Sequence, residues 1–200
     1  MSSQALPGPI DADRRLALIS TCVIGGAGTV AAATPFVLSF QPSERAKAAG
    51  APVEADLGSI APGEMKTVEW QGKPVWLLHR TPEMIESVKK TDDRVADPKS
   101  QRNAYPTPPY AKNELRSIKP EFLVVVGICS HLGCSPKGPF GADTNPQLGG
   151  DLGFVCPCHG STFDLAGRVF KNKPAPDNLQ VPPYKFLSDT VVLIGDDSKA

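Results

Sequence analysis

The sequence predicts a mainly β fold carried behind one amino-terminal membrane helix. Three observations support this. The 200 residues hold 18 Gly and 21 Pro, well above the roughly 12% of average usage. Residues 16–40 carry no charge. Beyond them come short alternating apolar runs separated by turn residues. Gly and Pro at this level disfavour a helix bundle, because both interrupt helices. Lys plus Arg total 21 and Asp plus Glu total 21, so the formal net charge is zero. That argues against a chain that coats nucleic acid.

Leu16 to Phe40 is apolar apart from Gly, Ser, Thr and one Pro. As a helix it would be about 37 Å long, against a hydrocarbon core of roughly 30 Å. A core helix of so small a protein would not be apolar on every face. The interruptions, Gly25, Gly26, Gly28 and Pro35, are of kinds that membrane helices tolerate. Ala31-Ala32-Ala33 could serve as a signal cleavage site. The apolar run continues through Phe36, Val37, Leu38 and Phe40, which a removed signal has no need of, so residues 16–40 are expected to stay as an anchor. Residues 1–15 are then the cytoplasmic amino terminus. Arg14-Arg15 reads as a twin-arginine export signal, with ordinary positive-inside flanking as the alternative. Cys22 reads as a small hydrophobic helix residue.

Residues 41–56, QPSERAKAAGAPVEAD, have no apolar periodicity and read as a hinge linker. Residues 57–200 read as the folded domain. Met65–Trp70 and Pro74–Leu78 are expected strands joined at Gln71-Gly72-Lys73. Thr81-Pro82-Glu83 is a helix start: a capping hydroxyl, a proline at the first position and a carboxylate near the positive end. Met84, Ile85 and Val88 give that helix one apolar face. Residues 91–111 read as a long loop, and Phe122–Ile128 and Thr190–Ile194 as further strands. Trp70, Trp76 and His79 read as core or surface residues.

The strand at 122–128 runs into Cys129-Ser130-His131-Leu132-Gly133-Cys134, and further on comes Cys156-Pro157-Cys158-His159-Gly160-Ser161. Two such turns facing each other bring four Cys and two His to one place. Four thiolates, or two with two imidazoles, could hold zinc, and four thiolates could hold an iron–sulfur cluster. Six donors are two more than a tetrahedral metal uses. A Cys/His pair repeated in each loop suits a two-iron cluster in which one iron takes two Cys and the other two His, with the two remaining Cys free to cross-link the loops. A cross-link needs an oxidising compartment, in agreement with the export reading of the amino terminus.

The two boxes, C-x-H-x-G-C and C-x-C-H-x-S, resemble those of the Rieske iron–sulfur proteins of quinol–cytochrome c oxidoreductases. The anchor and the linker agree with the same family, and Arg80-Thr81-Pro82-Glu83 before a helix and the Pro-rich Lys173-Pro174-Ala175-Pro176 resemble the bacterial and mitochondrial ubiquinol enzymes more than the plastoquinol ones. The resemblance implies an antiparallel β-sandwich with a small cluster-binding subdomain over about 127–178, and one Rieske-type 2Fe-2S cluster. It assigns Cys129 and Cys156 to the inner iron and His131 and His159 to the outer. It joins Cys134 to Cys158 as a disulfide and has Ser161 donate a hydrogen bond to a bridging sulfide. Leu132 and Gly133 would lie at the quinol-docking tip, with residues 173–176 covering the cluster. Two positions depart from the family pattern: Phe163, where many members carry a Tyr that bonds a Cys sulfur, and Lys173, where Gly is usual.

Neutral imidazole ligands leave a cluster less negative than thiolates do, which raises its potential. An exposed imidazole can also accept the proton of a quinol hydroxyl, so electron and proton leave together. The resemblance implies ubiquinol as donor and cytochrome b and a c-type cytochrome as partners, with the domain on the periplasmic side of a bacterial inner membrane. The competing oxidoreductase reading is a Rieske small subunit of another exported enzyme, such as arsenite oxidase; the competing structural reading is a zinc module.

Overall fold

The computed structural model describes residues 11–102 and 104–198. Most of the expected cytoplasmic terminus therefore lies outside the described residues. The chain divides into two compact units, one ending at Lys47 and one beginning at Ala48.

Among the described residues, most of the first unit is one long helix, α1 (Ala12–Ser39). It starts at Ala12 rather than Leu16 because the Asp11 carboxylate caps it, accepting from the Asp13 and Arg14 N–H groups at 3.1 and 3.2 Å. None of its residues is buried. Its Thr21, Thr29 and Thr34 hydroxyls each donate to the carbonyl four residues back, at 2.7–2.8 Å. No threonine hydroxyl is thus left bare to lipid. From Leu16 to Ser39 this helix carries no charge and is buried nowhere, and it is long and apolar enough to cross a membrane.

The segment expected to be linker throughout is partly ordered. A short helix, α2, covers Glu44–Ala49, and a strand, β1, covers Val53–Asp56. The strand takes up the last four residues of that segment. Its four residues are too few for periodicity to show, and it forms because Val53–Asp56 pairs antiparallel with the last strand, β9 (Val191–Ile194), in register Val53↔Ile194.

The second unit contains three three-stranded antiparallel sheets. The first joins β1, β9 and β8 (Tyr184–Phe186). The second joins β2 (Met65–Trp70), β3 (Lys73–His79) and β4 (Phe122–Val126). The third joins β5 (Lys137–Phe140), β6 (Gly153–Val155) and β7 (Thr162–Phe163). Strands β2 and β3 meet through a two-residue turn, Gln71-Gly72, in register Trp70↔Lys73, so Lys73 belongs to the strand and not to the turn. Strand β4 ends at Val126 and not at Ile128, because the Ile128 N–H turns back to Val126 O at 2.8 Å instead of joining the ladder. The helix α3 (Pro82–Lys89) has Thr81 as its cap, the hydroxyl accepting from Met84 N–H at 3.3 Å, and buries Val88.

One core runs through the first two sheets and into the third. It holds Ala55, Val192 and Ile194 from the first, Val75, Leu77 and Val124 from the second, and Phe154 and Phe163 from the third. Each fully buried aliphatic side chain there contributes roughly 1.5–3 kcal/mol. The Trp76 and Phe154 rings, 4.9 Å apart, join the second sheet to the third. A second, smaller core of Val95, Leu148, Val155 and Phe170 lies in the third sheet's subdomain. Val95 comes from the expected long loop and reaches this core through an isolated bridge to Phe170.

Three arginines are almost fully buried: Arg80, Arg116 and Arg168. They converge on residues 164–168, the turn after β7. Arg80 donates to Leu165 O and to Leu115 O at 3.3 and 2.9 Å. Arg116 donates to Ala166 O, Leu179 O and the Ser100 hydroxyl at 3.1, 2.8 and 2.8 Å. Burial pushes Arg80 and Arg116 down to about 10, so both stay charged at neutral pH, and the carbonyl acceptors offset the lost hydration. Burial also pulls on Arg168, but Asp164 at 2.7 Å and Asp92 at 2.5 Å outweigh it and hold this guanidinium above its ordinary value.

Candidate metal centre

The two Cys/His boxes are two loops with the same main-chain scaffold. In the first, Cys129 N–H donates to Cys134 O at 2.8 Å and Gly133 N–H to Cys129 O at 3.1 Å. In the second, Cys156 N–H donates to Ser161 O at 2.7 Å and Gly160 N–H to Cys156 O at 3.0 Å. The fifth residue of each must turn left-handed for the loop to close. It is glycine in both, with φ +82° at Gly133 and +73° at Gly160. Strand β4 feeds the first loop, and the β6–β7 hairpin carries the second.

This scaffold brings the expected donors together. Cys129 and Cys156 are free and buried. His131 is half-buried and His159 exposed. Their rings stand perpendicular, with centroids 4.7 Å apart. The His131 Nδ1 atom is buried with no hydrogen-bond partner, an arrangement proteins avoid unless something else meets the lone pair. Cys134 and Cys158 form a disulfide between the two loops. The Cys156 sulfur lies within 4.8 Å of both disulfide sulfurs, which are bonded to each other and so are not ligands. Cys22 is free and exposed on α1.

Burial pushes the Cys129 thiol above its ordinary value. The His131 N–H and the Ser161 hydroxyl, both bonded to its sulfur, pull the other way, and the neighbouring Cys156 adds to the rise. Two adjacent buried thiols can act as thiolate ligands only with a cation beside them to offset the charge. Together with the orphaned Nδ1, that fits a cluster of irons bridged between a thiolate side and an imidazole side. The residues present fit a 2Fe-2S group.

The remaining predicted residues surround this point. Ser161 is fully buried, and its hydroxyl accepts from Ala175 N–H at 2.9 Å, leaving its own proton for the sulfur side. Leu132 is 71% exposed at the tip of the first loop. Ala175 is buried between exposed Pro174 and Pro176. Phe163 is fully buried in β7 and shares the main core with Cys129 and Cys156. Trp70 and Trp76 are core residues, and His79 Nδ1 bonds Ile60 O at 2.7 Å. Sequence reasoning gave no part to Ser130, Asp177, Asn178 or Arg116, because each acts through main-chain groups far away in the chain. Only Arg168, four residues after Asp164, carries a local sign of its partner.

Fold and donor set together define a membrane-anchored iron–sulfur protein of the Rieske class. The Rieske [2Fe-2S] domain family matches residues 100–184. The ubiquinol-cytochrome c reductase iron-sulfur subunit of Allochromatium vinosum is 53% identical, over 92% of this chain and 88% of its own length. Those of Rhodospirillum rubrum and Bradyrhizobium diazoefficiens are 40% and 39% identical, over 94% and 91% of this chain and 94% and 93% of theirs. The chain belongs to the family of ubiquinol–cytochrome c reductase iron–sulfur subunits. Membership sets it apart from the small subunits of other exported oxidoreductases and from zinc modules, and its cofactor is one 2Fe-2S cluster of the Rieske type.

Proposed function

We infer that this chain is the electron-carrying subunit of a respiratory quinol–cytochrome c oxidoreductase, taking an electron and a proton from ubiquinol and delivering the electron to a c-type cytochrome. One observation carries the reading: two perpendicular imidazoles, one half-buried and one exposed, together with two buried free thiols in loops locked by a disulfide. Cys129 and Cys156 would hold one iron and His131 and His159 the other. When bound, the cluster supplies a one-electron couple whose potential imidazole ligation raises. The chain's own residues do the rest. His131, with Nδ1 turned inward, has Nε2 on the other edge of its ring to accept the hydroxyl proton of a quinol, and exposed His159 offers a second such ring. Leu132 presents apolar contact beside them. The thiols, buried under Ala175 and Ser161, are kept from water.

Residues 41–52 would serve as a hinge that lets the domain serve a quinol site and a haem in turn. Arg14 and Arg15 would direct export, placing the domain on the periplasmic side with cytochrome b and a c-type cytochrome as partners. Redox-titrated EPR on membranes containing the protein tests the function. The expected result is a mixed-ligand 2Fe-2S signal that is reduced by added ubiquinol and reoxidised by a c-type cytochrome. A signal indifferent to ubiquinol would overturn the reading. Replacing Arg14 and Arg15 by Lys tests the export reading: assembled protein should disappear from the membrane, and normal assembly would leave only the positive-inside role.

A further inference from the structure

Ser130 stands between Cys129 and His131, yet its hydroxyl is engaged far along the chain. It donates to Asp177 O at 2.6 Å and accepts from Asp177 N–H at 3.2 Å. One side chain thus satisfies both main-chain groups of a half-buried residue in the segment that covers the site. That segment belongs to no strand, and four consecutive residues of it are each held by a different partner. Ala175 N–H goes to the Ser161 hydroxyl at 2.9 Å. Pro176 O accepts from the Arg102 guanidinium. Asp177 is held by Ser130. The Asn178 side chain donates to Asp97 O and accepts from Val169 N–H, both at 2.9 Å. Each of the two Cys/His loops therefore contributes one serine to the cover, Ser130 from the first and Ser161 from the second.

We propose that Ser130 is a positioning residue for the metal centre: a two-way clip that fastens residues 175–178 to the first loop and fixes the main chain between Cys129 and His131. The proposal rests on the reading of those two residues as ligands. Through that main chain the clip sets the direction of the His131 ring. Without the hydroxyl, both Asp177 groups lose their partner, and the cover stays tied to the second loop alone. Hydrogen bonds that are not made leave a main chain free to open locally.

The test compares the wild-type protein, Ser130→Ala and Ser130→Thr, each full-length and in its complex. Hydrogen–deuterium exchange is read on peptides covering 173–179 and, as an internal reference, 122–126. EPR g-values are read at equal cluster content. The expected result for Ser130→Ala is exchange at 173–179 at least tenfold faster, no change at 122–126 and shifted g-values, with Ser130→Thr restoring both. Unchanged exchange in Ser130→Ala would overturn the proposal. So would an equal rise throughout the domain, which is the mark of lost stability, or a Thr variant that behaves like Ala. A wild-type protein with no mixed-ligand signal would sink the ligand reading instead, and the exchange data would still decide the clip.

Discussion

The two Cys/His loops share a main-chain design and differ in what they do with it. Both close by a hydrogen bond from the first Cys N–H to the sixth residue's carbonyl, and both turn at a left-handed glycine. In the first loop the sixth residue is Cys134, a cross-link; in the second it is Ser161, a hydrogen-bond donor and acceptor. The histidine is third in one and fourth in the other. The first loop shows solvent an apolar tip, Leu132, and the second shows Pro157, Cys158 and His159. One backbone solution, used twice, thus makes a pocket whose two walls have different chemistry. On the function proposed above, the shared backbone would set the two cysteines for ligation, while the differences would set the imidazoles, the docking tip and the cross-link.

That comparison can be broken at several points. The largest effect is expected for His159→Ala, which removes one of the proposed nitrogen donors. Its EPR spectrum should show no mixed-ligand cluster, and a retained wild-type signal would mean that the second loop does not ligate through this ring. Next is Cys134→Ser. The disulfide closes a separation of 24 residues, for which chain entropy gives about 3.5 kcal/mol. The cluster should persist and the thermal midpoint should fall, as read by loss of visible absorbance on heating. An unchanged midpoint would mean that the second-loop hairpin holds the pocket closed by itself.

Smaller effects sharpen the equivalence of the backbones. A Cβ at Gly133 would meet nothing within 4 Å, and one at Gly160 only the Gln147 amide at 3.7 Å. Gly133→Ala and Gly160→Ala should therefore each cost only the left-handed backbone term, about 1–2 kcal/mol, and nearly the same amount. Denaturant titration of the pair checks this; costs differing by more than about 1 kcal/mol would show that the loops are not equivalent. The smallest effect belongs to Phe163, just beyond the second loop. It has no hydroxyl to offer a ligand sulfur. Phe163→Tyr should raise the midpoint potential by tens of millivolts, at about 40 mV per kcal/mol for a one-electron couple. Voltammetry at fixed pH reads it, and a fall or no change would mean that the ring does not point at a thiolate.

The boxes, the anchor, α3 and the strands β2, β3, β4 and β9 were legible because each announces itself within a few residues. A run of apolar residues, a Thr-Pro-Glu start and a Cys/His spacing are local signals. What escaped was non-local or short. β1, β5, β6, β7 and β8 have two to four residues each, below the length at which alternation can be seen. Polar Arg80, Arg116 and Arg168 sit in the interior because carbonyls and carboxylates from distant segments converge on them. Arg80 meets Leu165 across 85 positions, and no window along the sequence joins those two. The Ser130–Asp177 contact is of the same kind, a short polar residue whose partner is a main chain 47 positions away.

The pairing of β1 with β9 has a consequence in time. The strand beside the linker is matched, residue for residue, with the last strand of the sheet in chain order, which ends at Ile194. During synthesis the anchor is made first and the two Cys/His loops later. The strand that completes the first sheet comes after both. Until Val191–Ile194 has left the ribosome, β1 and β8 have no neighbour between them. The first sheet thus shuts only when β9 arrives, after both Cys/His loops have already been made.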